Sequence, residues 1–268
     1  RGVTRSSQIC LGAGKTYTNA FHIAGNGFQN STDKEGVLNL GGGNAASLTG
    51  SVELMENSTF YGPFVFDCAI SGRGGALICG DAAASQIFRR ANTYFGSTYV
   101  RDVALVLEPN GTFGSGNVTV AAAGKINFRD GTRTIDNAIS GDGEVSLTNE
   151  RLTLGGKNAF AKLVFDSASQ AAMAGASTLS LAATTTVKSV TGRGTVAAGT
   201  LVVANDADGE FASDLAVSAK LVKNGKGTLS THADLSGRVE VNRGILRVQK
   251  KLSAPYADSL VLWLDASD

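Results

Sequence analysis

Proline, cysteine, aromatic side chains and charge are all scarce in this sequence of 268 residues. It contains 3 prolines and 3 cysteines, and only 7% of its residues are aromatic and 18% charged. So few cysteines exclude a disulfide scaffold, and so little charge beside 43% hydrophobic residues excludes a disordered tail. The scarcity of proline suits many internal strands, because proline cannot donate a hydrogen bond to a β-ladder.

An excess of one charge and long apolar runs are also missing. The formal net charge is +1, whereas binding to nucleic acid needs clustered Lys and Arg to neutralise phosphates. No apolar run approaches the roughly 18 residues of a membrane helix. We therefore expect no nucleic-acid binding and no direct membrane insertion by this segment. Because the chain opens with Arg1 and shows no signal peptide, we expect a processed piece of a larger multidomain chain.

The three cysteines leave two possibilities open. Cys68 and Cys79 are near enough in sequence to meet across a hairpin or a corner, whereas Cys10 has no evident partner. Alternatively, the cysteines are small buried thiols. Cysteine usage therefore does not indicate the compartment of the protein.

Glycine and short alternating runs are what the sequence has in abundance. The 34 glycines supply positive φ at turns, and the frequent Val and Thr suit pleated strands. Apolar and polar residues alternate in runs such as "GEVSLTN", "RLTLGG" and "RVEVN", which is the pattern of half-buried strands. The sole helix candidate is "AASQIF" at residues 83–88. The sequence predicts an all-β protein.

Two patterns repeat along the chain. In one, "FGSTYVRDVALVL" (95–107) aligns without gaps with "SGRVEVNRGILRV" (236–248). The other is a Gly-x-Gly step between strands, found in "ISGRGGAL" (70–77), "ISGDGEVSL" (139–147), "VTGRGTV" (190–196) and, one residue longer, "VKNGKGTL" (222–229). Irregularly spaced repeats favour a solenoid, in which each coil leaves a hydrophobic face and an open ladder that the next coil covers.

Such a solenoid has an apolar stack that continues from coil to coil. At roughly 20–25 residues per coil, the chain would make on the order of eleven coils. We expect Val145, Leu147, Val202, Leu229 and Val241 to point inward. Burial of each would contribute about 1.5–3 kcal/mol before the loss of entropy is subtracted.

Two segments resemble a known repeat family. "ANTYFGSTYVRDVALVL" (91–107) and "LVKNGKGTLSTHADLSGRVEVNRGILRV" (221–248) are similar to the autotransporter-associated β-strand repeat, in which a Gly turn is followed by a Thr/Val strand and a Leu/Val strand. The resemblance implies a right-handed parallel β-helix displayed outside a Gram-negative-type cell, often as the stem of an adhesin-like protein. We assign residues 1–252 to this passenger-like domain.

The last residues carry a second resemblance. "LVLWLDASD" (260–268) resembles the opening strand of a concanavalin/laminin-G-like lectin domain. This resemblance implies that residues 253–268 are a linker and the possible first strand of a following lectin-like domain.

One segment is a candidate contact patch. Residues 87–102 concentrate aromatic and arginine side chains, and arginine beside an aromatic face can stack on a sugar or anchor a protein partner. The candidate contact residues are Phe88, Arg89, Arg90, Tyr99 and Arg101. The alternative is a structural role, since the family resemblance implies turn and core positions for Asn92, Thr93 and Tyr94.

A weak calcium site is conceivable in "NDADGEF" (205–211). If this segment is extended, Asp206, Asp208 and Glu210 share a face and would repel one another without a cation. The alternative is a solvated loop. A helix-loop-helix calcium site is excluded, because its first ligand position would be Ala204.

We find no convincing catalytic constellation. Polygalacturonase-type β-helix hydrolases use an Asp-Asp doublet, and this chain has none. Its two imidazoles, His22 and His232, are too far apart in sequence for a rod to bring together, and we expect solvated surface positions for both. "GAGKT" (12–16) lacks the first glycine and the strand-loop-helix context of a phosphate loop. We expect no cofactor.

The sequence thus predicts a non-enzymatic extracellular β-helical stalk, scaffold or adhesin-like passenger segment that displays adjoining modules. The alternative is a carbohydrate-binding or carbohydrate-active β-helix of the lyase or hydrolase type. The expected partners are a glycan or a host or matrix protein, and the expected location is extracellular or at a bacterial cell surface.

Overall fold

The protein is a β-solenoid of about ten turns. The structure is a computed structural model, and it describes residues 8–27, 36–40, 43–80, 84–166, 177–250 and 260–266. Parallel strands stack on one another up to residue 250, so the predicted all-β parallel β-helix is confirmed. The predicted linker at 253–259 lies outside the described residues. The described part of the chain has no helix long and apolar enough to cross a membrane.

The chain divides into two compact units. Unit 1 comprises Arg1–Arg129 with Ile139–Gly143, and unit 2 comprises Asp130–Ala138 with Glu144–Asp268. The strands of unit 1 are β1 (Ile9–Cys10), β2 (Thr16–Tyr17), β3 (Phe21–Gly25), β4 (Leu38–Asn39), β5 (Ala46–Leu48), β6 (Val52–Tyr61), β7 (Phe64–Phe66), β8 (Ile70–Gly72), β9 (Ala76–Cys79), β10 (Ser85–Phe88), β11 (Thr98–Val100), β12 (Ala104–Leu107), β13 (Val118–Val120) and β14 (Lys125–Arg129).

The strands of unit 1 form three parallel ladders. Ladder 1 runs β2–β5–β7–β10–β12–β14. Ladder 2 contains β3, the start of β6, and β8. Ladder 3 runs β1–β4, then the end of β6, β9, β11 and β13. Successive coils therefore add strands to ladders 1 and 3, and the first of them also to ladder 2, and each coil pairs with the backbone of the one before it.

Unit 2 repeats this arrangement. Its strands are β15 (Thr132–Ile135), β16 (Ile139–Thr148, which begins in unit 1), β17 (Arg151–Leu154), β18 (Asn158–Asp166), β19 (Thr178–Leu181), β20 (Thr185–Gly192), β21 (Thr195–Ala204), β22 (Gly209–Glu210), β23 (Asp214–Leu215), β24 (Ala219–Asn224), β25 (Thr228–Thr231), β26 (Arg238–Val241), β27 (Gly244–Lys250) and β28 (Leu260–Ala266).

Three ladders also account for unit 2. One runs β15–β17–β19–β21–β23, and a second runs β18–β20–β21–β24–β26. The third contains β22, β25 and β27, and it ends with β28 in antiparallel pairing. Leu260–Ala266 thus adds an edge strand to the solenoid, and its assignment to a following lectin-like domain stays a prediction.

The interior of both units is largely apolar, because alternate residues of most strands point inward and are mainly hydrophobic. The expected inward positions are confirmed at Val145, Leu147 and Leu229, which are at most 1% exposed. The prediction is wrong at Val202, which is half-buried, because its neighbours Leu201 and Val203 take the inward positions of β21. Val241, in the last strand of its ladder, is also half-buried.

The Gly-x-Gly steps mark corners where two coils approach closely. The first glycines of the four steps, Gly72, Gly141, Gly192 and Gly225, all have positive φ, between 82° and 116°. A Cβ added to Gly72 would lie 2.3 Å from the carbonyl oxygen of Leu54 in the preceding coil. A side chain here would be strained and would also collide with the backbone, which explains the repeat as a strand-turn device.

The gap-free alignment of 95–107 with 236–248 corresponds to equivalent structure. Each segment begins at a glycine where a Cβ would meet the backbone of a preceding coil, 2.3 Å from Gly75 N at Gly96 and 2.4 Å from Ala216 O at Gly237. Two strands follow in each, β11 and β12 in one and β26 and β27 in the other. The repeat therefore encodes a corner and its two flanking strands.

The described part of the helix candidate, residues 84–88, forms no helix. Ser85–Phe88 is strand β10, and it pairs in parallel with β7 and β12. Gln86 and Phe88 point inward with no exposed surface. Ladder pairing on both sides overrides the weak local preference for a helix.

Candidate functional site

The structure separates the residues of the predicted contact patch. Phe88 is completely buried on β10, so its assignment to a contact surface is wrong. Tyr99 lies on β11 in ladder 3 and is 40% exposed. Arg101 follows that strand and pairs with Asp102, with Nε 3.1 Å from Oδ2. Only Arg89 and Arg90 come together, at the corner that follows ladder 1.

That corner is irregular because one coil has an extra residue there. Phe66, Phe88 and Leu107 are aligned in ladder 1, and Ile70, Asn92 and Thr112 are aligned after the corner by hydrogen bonds. Of these three successive coils, the two that contain Phe66 and Phe88 cross the corner with three residues each, 67–69 and 89–91. The coil that contains Leu107 uses four, residues 108–111. The longer connection closes as a turn in which Gly111 N donates to Glu108 O at 2.7 Å.

The composition of this turn matches its geometry. Its sequence is Glu-Pro-Asn-Gly, which places Pro at the second position and Gly at the fourth, as a type I turn favours. Pro109 and Asn110 are exposed, whereas Gly111 is buried. A Cβ on Gly111 would lie 2.1 Å from Phe88 O. The turn therefore projects from the corner beside the two arginines.

A shallow, open cleft lies between the turn and the arginines. It has a volume of about 230 Å³ and is lined by Asp67, Arg89, Arg90, Glu108, Pro109 and Asn110. The three coils each contribute to it, and their backbones are joined by the hydrogen bonds Arg89 N to Phe66 O and Glu108 N to Phe88 O, both 3.0 Å. The cleft thus rests on the main-chain ladder.

Two arginines and two carboxylates form a network across this cleft. Arg90 donates from Nε to Asp67 Oδ1 at 2.8 Å, and Arg89 donates from Nε to Glu108 Oε2 at 2.8 Å. Arg89 Nη1 is also 4.0 Å from Asp67 Oδ2. All four side chains are partly exposed, from 26% for Glu108 to 56% for Arg90. The network is charge-balanced and accessible from solvent.

Asn92 holds the end of the corner in place. Its Oδ1 accepts from Ile70 N at 2.8 Å, and its Nδ2 donates to Thr112 O at 2.7 Å, so one buried side chain links three coils. Tyr94 is fully buried. The turn and core roles implied for Asn92 and Tyr94 are therefore confirmed, whereas Thr93 is exposed.

Cys68 lies next to Asp67 but offers no nucleophile to the cleft. Burial, and to a lesser extent the charge of Asp67, raises the pKa of its thiol to about 11. The thiolate is the reactive form of cysteine, so Cys68 stays protonated and inert at neutral pH. Cys68 and Cys79 are both buried and are not joined by a disulfide, which settles the open question of their pairing. Cys10 is exposed and is not in a disulfide either.

The calcium hypothesis is not supported by the arrangement of Asp206, Asp208 and Glu210. Asp206 Oδ1 accepts from Lys226 N at 3.1 Å, and Asp208 Oδ1 accepts from Thr228 N at 2.8 Å, so both carboxylates bond to the backbone of the next coil. Among the residues that the structure describes, no three His, Cys, Asp or Glu side chains form a group that could hold a metal ion. Residues 205–208 thus form a turn that is bonded to the next coil, and strand β22 follows it.

Both histidines are exposed, as predicted. His22 Nδ1 is 2.8 Å from Glu53 Oε2 in unit 1, and His232 Nδ1 is 3.0 Å from Gln249 O in unit 2. Each histidine thus contacts a nearby surface group, Glu53 or the carbonyl oxygen of Gln249, and the two histidines lie in different units.

Sequence analysis missed four residues of the cleft, which are Asp67, Glu108, Pro109 and Asn110. A usable signal was present, because Asp67, Arg89 and Glu108 each directly follow one of the apolar strand residues Phe66, Phe88 and Leu107, which are aligned in successive coils. The Glu-Pro-Asn-Gly turn marks the same corner.

Comparisons with known proteins leave the fold without a family. No protein-family model matches this chain, no curated protein is similar to it, and no solved structure matches it. The likeness of residues 91–107 and 221–248 to the autotransporter-associated repeat therefore stays a prediction, and so does the lectin-like character of the tail.

Proposed function

We propose that this chain is a non-enzymatic scaffold, a stalk or adhesin-like segment that stands outside the cell and holds adjoining modules away from its surface. The observation that carries the proposal is the ladder geometry: in the described part of each unit, successive coils are hydrogen-bonded in parallel over a largely apolar interior. Because each coil contacts only its neighbours, a load applied to the two ends has to break the main-chain hydrogen bonds of one coil after another.

The repeat pattern supports the same proposal. The corner glycines and the alternating strands serve the geometry of the coils. The resemblance to passenger repeats favours display at a bacterial surface. The partners of such a segment would be glycans or host or matrix proteins that meet its corners, where the sequence departs most from the strand pattern.

Force spectroscopy tests the mechanical role. The chain is tethered through its two ends and stretched, and we expect it to unravel in increments of one coil, about 7 nm of contour for about 20 residues. A single cooperative loss of each whole unit at low force would contradict the proposal.

A second measurement uses the variant Gly72→Val, which places a side chain against Leu54 O at a corner of unit 1, with unit 2 of the same chain as the internal control. We expect this variant to lower the force for steps in unit 1 and to leave those of unit 2 unchanged. Equal weakening of both units would show that load is not carried coil by coil.

A further inference from the structure

We propose that the corner cleft binds one neutral hexose unit of a glycan. This inference gives the adhesin-like part of the proposed function a ligand class and rests on it. The scaffold role requires nothing of the cleft, so the two proposals can fail separately.

The cleft offers hydrogen-bond donors and acceptors side by side. A guanidinium has five N–H donors. Arg89 uses Nε toward Glu108 and has Nη1 4.0 Å from Asp67 Oδ2, and Arg90 uses Nε and Nη2 toward Asp67. Donors on both arginines therefore remain for a ligand, and Asp67 and the exposed Asn110 supply acceptors. A sugar hydroxyl donates and accepts at once, so neighbouring hydroxyls match such alternating groups.

The charge balance selects a neutral ligand. The positive charges of Arg89 and Arg90 are already paired with Asp67 and Glu108. An acidic sugar would bring a further negative charge close to the carboxylates of Asp67 and Glu108, which would repel it. A cationic ligand would likewise be repelled by the positive charges of Arg89 and Arg90. A neutral polyol avoids both penalties.

The cleft is also held in shape before a ligand arrives. The ion pairs favour one orientation of each guanidinium group, and the backbone of Arg89 is bonded to the preceding coil directly after ladder 1 through Arg89 N to Phe66 O. A site ordered in advance loses less side-chain entropy on binding. Its volume of about 230 Å³ is below the roughly 300–1,000 Å³ of sites for drug-sized ligands. One ring therefore fits, and the open side leaves room for the rest of the glycan.

The test is a titration of the whole chain by NMR with the methyl glycosides of glucose, galactose, mannose and N-acetylglucosamine, and with methyl glucuronide as the acidic comparison. We expect at least one neutral glycoside to shift the Nε–H resonances of Arg89 and Arg90. Because hydrogen bonds to charged groups contribute about 1.5–3 kcal/mol, Arg90→Ala and Asp67→Asn should each weaken binding about tenfold or more.

Two further variants separate binding from folding. Arg90→Lys keeps the charge but loses the planar fork, and we expect it to weaken binding while its melting temperature stays near that of the parent chain. Lys162→Ala removes a partly exposed ion pair of unit 2, Lys162 to Glu144 at 2.9 Å, and should leave binding unchanged.

Three results would overturn the inference: no neutral glycoside binds, only methyl glucuronide binds, or Arg90→Ala binds as well as the parent chain. None of them alters the unravelling steps expected under force, so a failed cleft is distinguishable from a failed scaffold.

Discussion

The two units build the same ladders around different interiors. In unit 1, Phe66 is the hub of a ring cluster, with its centroid 5.0 Å from that of Phe60, 5.8 Å from Phe64 and 5.4 Å from Phe88. Phe113 and Phe128 form a further edge-to-face pair in the same unit. Among the described residues, no ring pair of this kind lies in unit 2.

The interior of unit 2 instead contains charge. Glu150 is fully buried, and its carboxylate accepts from Arg133 Nε at 2.7 Å, from Arg133 Nη2 at 3.1 Å and from Gly131 N at 2.7 Å. Lys223 is also fully buried, between Val203 and Val241 in its ladder. Its ammonium donates to the carbonyl oxygens of Gly225 at 2.7 Å and of Arg243 at 3.1 Å.

This difference shows that the backbone ladders and the corners specify the coil. The same coil accommodates an interior of aromatic rings as well as one that contains buried charges. Rings stabilise unit 1 through apolar burial and ring contacts. Buried charges add little net stability, because desolvation offsets much of their attraction, yet they become costly once a partner is removed. The units should therefore respond differently to the same kind of substitution.

The largest effect is expected for Phe66→Ala, with Phe165→Ala as its counterpart. Both phenylalanines are buried, and loss of a buried ring costs about 3–5 kcal/mol. Phe66 also loses three ring contacts, each worth about 0.5–1.5 kcal/mol. Hydrogen exchange followed by mass spectrometry, read separately for each unit, should show a greater loss of protection in unit 1 for Phe66→Ala than in unit 2 for Phe165→Ala. Equal losses would remove the distinction between the two interiors.

A smaller effect is expected for Glu150→Gln in unit 2. The amide keeps the shape of the side chain but removes the negative charge that faces the buried guanidinium of Arg133, which should lower the free energy of unfolding by about 3 kcal/mol. Glu144→Gln, which breaks a partly exposed pair with Lys162, should change it by only about 0–1 kcal/mol. Urea denaturation measures both. If Glu150→Gln is as mild as Glu144→Gln, the buried pair is not a structural requirement.

Sequence patterns predicted the coil because coil geometry is local. Alternation sets which residues point inward, and a close backbone approach demands glycine, so Gly72 and Gly225 are recognisable in the chain. Single positions are harder. Phe88 was expected on the surface because arginines follow it, but its ladder partners Phe66 and Leu107 place it inside.

The cleft and the buried lysine escaped prediction for different physical reasons. The cleft depends on one extra residue in the 108–111 turn, and a change of one residue in coil length is within the ordinary irregularity of such repeats. Lys223 keeps the alternation of its strand, two residues after the inward Leu221. The local sequence pattern does not indicate that the Lys223 ammonium is close to the carbonyl oxygens of Gly225 and Arg243.

Lys223 provides the smallest and most specific prediction. Burial lowers the pKa of its ammonium below the ordinary 10.5, and the charge of Asp206 opposes this shift only in part. The unfolded chain therefore binds more protons than the folded chain between the folded pKa of Lys223 and 10.5. In that window stability should rise with pH, whereas below the folded pKa both states are protonated and the desolvation penalty is constant.

Lys223→Met should abolish this rise. At neutral pH its free energy of unfolding should stay within about 1 kcal/mol of the parent chain, because relief from burying a charge is offset by carbonyl groups that lose their donor. The measurement is urea unfolding, followed by circular dichroism, from pH 7 to pH 10.5, with Lys220→Met as control, since Lys220 is a surface partner of Glu240. Subtracting the curve of Lys223→Met from that of the parent chain cancels the other titrations. A difference that does not change with pH would mean that the lysine is hydrated in solution, and the contrast between a ring-filled and a charge-containing interior would then depend on Glu150 and Arg133 alone.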